Sequence, residues 1–69
     1  MNISNVLSRR KEERGISYAE LARRTFINED MVSRFMNGTS MPKGDQFLRL
    51  CKELDLDFSD FYDTEVSSF

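Results

Sequence analysis

The stretch Ser17–Gly38, SYAELARRTFINEDMVSRFMNG, carries two helix starts and one helix stop with little room between them. Ser17-Tyr18-Ala19-Glu20 has the form of a capping box, in which the serine hydroxyl and the glutamate carboxylate satisfy orphan N–H groups reciprocally. Behind it Tyr18, Leu21, Ala22 and Thr25 fall on one helical face. A second start stands at Asn28, a good N-cap, with Glu29 and Asp30 following at the positive end of the helix dipole. Val32, Phe35 and Met36 form the buried face of this helix, and Asn37-Gly38 ends it. The link between the two helices is short, Thr25 to Ile27, and forces them to cross steeply. Ala22 is small enough to let them approach, while Ile27, Val32 and Phe35 pin the second helix onto a core.

Outward from this pair the same periodicity continues. A helix over about Ile3–Arg14 turns Ile3, Val6, Leu7 and the stem of Arg10 inward, and Gly15 stops it. Thr39 to Pro42 reads as a loop. A further helix over about Gly44–Leu54 buries Phe47, Leu50, Cys51 and Leu54, and Asp57 can cap a short fifth helix, Phe58–Tyr62. No segment alternates with period two over a useful length, so the chain reads as all-α. The expectation is one compact five-helix domain over residues 1–62, built around a helix-turn-helix, with a C-terminal tail over 63–69. That tail is polar except for Val66 and Phe69.

A core drawn from 69 residues supplies little stability unaided, and the usual aids are disulfides, a metal, good helix packing or dimerisation. With Cys51 as the single cysteine and no histidine, an intrachain disulfide and a zinc site both fall away. Cys51 and the methionines read as core filler. No apolar run approaches the roughly 18 residues of a membrane span. The charged run Ser8–Arg14 leaves no signal-peptide core, and the unpaired cysteine suits a reducing cytoplasm. No nucleophile–base pair and no phosphate-cradling glycine loop is present, so neither an enzyme, a cofactor nor a small-molecule substrate is expected.

The net charge of −2 is unevenly spread: residues 1–24 carry six basic against three acidic side chains, and residues 44–69 carry two against seven. A basic front and an acidic back suit a protein that presents one end to a polyanion.

Over Gly15–Tyr62 the sequence resembles the Cro/phage-repressor family of helix-turn-helix regulators. The landmarks are Gly15, Ser17, Glu20-Leu21-Ala22, Val32-Ser33, Asn37-Gly38, Pro42 and the Leu54, Leu56, Phe58, Phe61 ending. No one of these is specific, but their ordered spacing is. The resemblance implies a lambda-repressor-like domain whose third helix enters the DNA major groove. Three positions depart from the family pattern. Phe26 stands where the turn usually holds glycine, and a Phe at positive φ costs on the order of 1 kcal/mol, so a locally different turn is the alternative. Lys11 and Met36 occupy positions that often form an Arg–Glu pair. Tyr18 replaces a glutamine that hydrogen-bonds phosphate.

If the third helix reads DNA, its apolar face dictates which side chains do so. Asp30, Ser33, Arg34 and Asn37 lie opposite Val32, Phe35 and Met36, with Asn28 and Glu29 at the N-terminal end. Candidate base readers are Asn28, Glu29, Asp30, Ser33 and Arg34, with Arg34 suited to a bidentate contact to guanine. Glu29 and Asp30 either accept from a cytosine amino group or merely complement the helix dipole, and Asn28 can serve simply as a cap. Candidate phosphate contacts are Tyr18, Asn37, Thr39, Ser40 and Lys43. Arg23 and Arg24 attract DNA at long range or are simply solvated.

A homodimer on double-stranded DNA is expected, with Leu56, Phe58 and Phe61 at its interface, aided by Tyr62, Val66 and Phe69; the alternative is that Phe58 and Phe61 close the core. The first reading is a stand-alone Cro-like transcriptional repressor. The competing one is a protein–protein module of antirepressor type, favoured by the acidic residues of the third helix and the negative total charge.

Overall fold

The computed structural model describes residues 2–61, apart from the side chain of Phe58. Four α-helices follow one another: α1 (Ile3–Arg14), α2 (Tyr18–Thr25), α3 (Glu29–Asn37) and α4 (Gly44–Glu53). A single 3-10 turn, Phe58–Phe61, stands where a fifth α-helix was expected. Asp57 does cap it, accepting from the Ser59 N–H at 2.9 Å, but the segment is four residues long and closes with the i→i+3 bond from Asp60 N to Asp57 O. So short a piece has no room for the i→i+4 ladder of an α-helix.

The helix starts follow local chemistry. Asn2, Ser17 and Asn28 each accept a backbone N–H three residues on, with Asn28 the shortest at 2.8 Å. The capping box at Ser17 is only half formed. Ser17 Oγ accepts from Glu20 N at 3.1 Å, but the Glu20 carboxylate is held by Arg23 and by Arg24 Nε at 2.7 Å instead of turning back.

The core gathers Leu7 from α1, Leu21 and Ala22 from α2, Ile27, Val32, Phe35 and Met36 around α3, and Leu50, Leu54, Leu56 and Phe61 from the C-terminal part. Phe47 is half-buried rather than enclosed, its ring 5.4 Å from that of Phe61. Cys51 is likewise half-buried. Of the methionines, Met36 is core, Met31 is at its edge and Met41 is exposed, so core filler describes only part of the set.

Two cationic side chains of α1, Lys11 buried and Arg10 half-buried, shape the frame. Lys11 is 9% exposed, with its Nζ 4.5 Å from the centroid of the Tyr18 ring and 3.3 Å from Glu12. This contact joins α1 to the start of α2 and turns Tyr18 partly outward, away from the inward face expected of it. Arg10 donates from Nη1 to the carbonyls of Leu54 and Asp55, at 2.9 and 2.8 Å, and from Nη2 to Asp60 at 3.3 Å. With Arg14 bonded to Asp55, the basic first helix faces the acidic C-terminal part. The charge separated along the sequence is therefore partly cancelled in space.

Candidate nucleic-acid interface

The turn between α2 and α3 fixes how α3 is presented. Phe26 adopts φ 60° and ψ 31°, the left-handed conformation that glycine favours, and its side chain is 85% exposed. The cost of a positive φ to phenylalanine pointed to a locally different turn; the backbone instead keeps the left-handed angle that the family's glycine adopts. Ile27 N closes the turn onto Ala22 O at 3.2 Å, and Thr25 Oγ1 donates to Leu21 O at 2.7 Å inside the protein. Arg49 of α4 donates to Thr25 O at 3.4 Å, tying the corner to the helix behind it.

On α3, Val32, Phe35 and Met36 are buried. Asn28, Glu29, Asp30, Arg34 and Asn37 are exposed and Ser33 is half-exposed, so the candidate base readers share the outward side. Asn28 Oδ1 is committed to capping Met31 N, which leaves its amide nitrogen as the free polar group. Asp30 Oδ2 accepts from Arg34 Nε at 3.1 Å, a pair one helical turn apart. Gly38 ends the helix at φ 81°, an angle that favours glycine, and a Cβ there would crowd Ser4 Oγ at 3.1 Å.

Beyond Gly38 the loop N–H groups of Thr39 and Ser40 both donate to Arg34 O. Thr39 and Lys43 are exposed, and Ser40 is half-buried. Thr39 and Ser40 line a shallow cleft of about 490 Å³ together with Met41, the N-cap Asn2 and the first residues of α1, Ile3 and Ser4. Sequence reasoning missed the hydroxyl and amide of Ser4 and Asn2 here, because only the fold brings residue 2 beside residue 39. Tyr18 lies at the start of α2 with its ring over Lys11. Arg23 and Arg24, both exposed, are paired with Glu20. Those contacts hold the Glu20 carboxyl below its usual range.

Elsewhere, Leu56 and Phe61 are each 8% exposed and help close the core of the single chain. The exposed apolar residue on that side is Leu48, 67% exposed, in a groove with Ile3, Phe47, Cys51, Leu56 and Phe61. Leu48 was overlooked because it falls off the three-and-four spacing that marks the inner face of α4. Tyr62, Val66 and Phe69 lie outside the described residues, as does the Phe58 side chain. Among the described residues no three metal-ligating side chains converge, and no helix is long and apolar enough to cross a membrane.

An all-helical domain with two packed helices joined by a tight turn and one polar, outward helix face is the architecture of a helix-turn-helix DNA-binding domain. The chain belongs to the Cro/C1-type HTH DNA-binding domain family, whose pattern it matches over residues 6–67. No curated protein and no solved structure matches it.

Proposed function

We propose that this domain is a sequence-specific transcriptional regulator of the Cro-like repressor type, acting in the cytoplasm on double-stranded DNA. Its α3 lies in the major groove. The observation that carries this reading is the division of α3 into a buried apolar face and an outward face bearing Ser33 and Arg34. Arg34 reads guanine, Ser33 contacts a neighbouring base or phosphate, and Asn28 and Glu29 stand at the groove end of the helix. Tyr18, Asn37, Thr39, Ser40 and Lys43 hold the flanking phosphates, with no sequence information of their own. The binding unit is residues 1–62, and 63–69 is an appended tail. Selection of sites from random duplexes tests the assignment. Arg34→Ala should relax one base position and lower specific affinity by about 1–3 kcal/mol. Unchanged selectivity would remove α3 from the groove.

One such helix reads only a few base pairs, so two copies about 34 Å apart on a palindromic site are required for useful selectivity. The partner surface is the C-terminal side, formed by Leu56, Phe58 and Phe61; of these, Leu56 and Phe61 line a groove with the exposed Leu48.

A protein–protein role of antirepressor type is the second reading, and the exposed carboxylates of Glu29 and Asp30 favour it. Replacing both with Gln separates the two. Loss of a protein partner with DNA binding unaffected supports the second; altered DNA selectivity supports the first.

A further inference from the structure

The outward face of α3 carries one arginine and two carboxylates, and the geometry among them is uneven. Arg34 Nε donates to Asp30 Oδ2 at 3.1 Å, while among the described residues its two Nη groups have no partner. A guanidinium offers two edges for planar, two-point contact: one formed by Nε with an Nη, the other by the two Nη groups. The aspartate occupies the first and leaves the second.

We propose that Asp30 is a positioning residue that holds Arg34 for end-on, two-point contact to the O6 and N7 acceptors of a guanine, and that Asp30 itself reads no base. This rests on the reading that α3 enters the major groove. An exposed arginine without such a buttress has many rotamers and, beside DNA, an abundance of phosphate oxygens to reach. Those contacts carry no sequence information. A carboxylate one turn toward the N-terminus restricts the arginine to the base side and cancels its charge locally. With Asp30 paired, Glu29 is the unbalanced charge of this face, so the helix draws little on non-specific attraction to the DNA backbone. Selectivity then comes from the guanine contact rather than from adhesion.

The test uses a duplex selected from random sequence by the native chain, the same duplex with 7-deazaguanine at the position that Arg34→Ala relaxes, and an unrelated duplex. For the native protein the loss of N7 should weaken binding about tenfold. In Asp30→Asn the penalty for 7-deazaguanine should shrink by about threefold or more, as expected for coupled neighbours. At the same time affinity for the unrelated duplex should rise and the salt dependence steepen by roughly one phosphate contact. Asp30→Glu, which keeps a carboxylate four residues before the arginine, should restore most of the discrimination. A merely structural role would weaken both duplexes together. The proposal is overturned if Asp30→Asn leaves discrimination and non-specific affinity unchanged, or if it relaxes a cytosine at another position. If Arg34→Ala relaxes no position at all, the groove assignment of α3 fails and the proposal with it, an outcome distinct from the other two.

Discussion

Phe26 shows how much a single position can carry. Its backbone is left-handed and its ring is almost wholly in solvent, so no packing offsets the strain. Phe26→Gly should therefore stabilise the domain by about 1 kcal/mol. Thermal unfolding should show this as a rise of roughly 4–8 °C, and an unchanged midpoint would mean the turn is not strained. Cys51 behaves in the opposite sense. Burial, with Asp60 nearby, pushes its thiol up, so it stays protonated at neutral pH and should react with iodoacetamide more slowly than in the unfolded chain. The positive φ at Phe26 was only half legible: the family pattern places glycine there, but the cost of that angle to a phenylalanine pointed to a different turn. The burial of Lys11 was not legible, since no spacing distinguishes a lysine lying under a tyrosine ring from one in solvent. The outward chemistry of α3 was legible from Val32, Phe35 and Met36 alone, because a known buried face fixes its opposite. The Asp30–Arg34 contact was not legible, since their spacing permits a pair without showing which edge of the guanidinium it engages.

At the scale of elements, the helix starts were the most readable feature, because a cap is satisfied within three residues of itself. Asn28 and Ser17 were identified as caps from sequence and both accept the expected N–H. Ser17→Ala should cost about 1 kcal/mol in denaturant unfolding. What Glu20 does was less readable, because two arginines within a turn outcompete the backbone for its carboxylate. That competition has a pH signature. Arg24 and then Arg23 lower the Glu20 carboxyl below 4.5 in the folded state, so the stabilisation is fully present above that value. It is lost as pH falls through the lower, folded value. Asp57, lowered chiefly by its bond from the Ser59 hydroxyl, acts in the same direction from 3.8. Acid titration of Glu20→Gln should show a shallower loss of stability than the native chain, and identical curves would dissociate Glu20 from acid unfolding. The terminal 3-10 turn was legible as a capped segment but not as to type, since four residues can close either way until their neighbours are placed.

At the scale of the whole molecule, the basic front and acidic back seen in the sequence are, among the described residues, partly folded against each other. Arg10 and Arg14 are turned onto Asp55 and Asp60. Charge counted along a chain says nothing of which stretches fold against each other. Sedimentation should find a weak dimer in solution that strengthens on a palindromic duplex, and Leu48→Asp should abolish it while the helical circular dichroism persists. A native chain that binds one copy to a non-repeated site would refute the symmetric arrangement.

Arg10 has one more consequence, and it concerns time. Its contacts with Leu54 and Asp60 span 44 and 50 residues, so closing them requires ordering most of the chain. The corner made by α2 and α3 brings together residues that are near neighbours in sequence, and such local contacts form early. The guanidinium clasp should then be absent at the folding barrier and present only on its native side. Arg10→Ala would leave the refolding arm of the chevron nearly in place and raise the unfolding arm, shortening the lifetime of the native state without slowing its arrival.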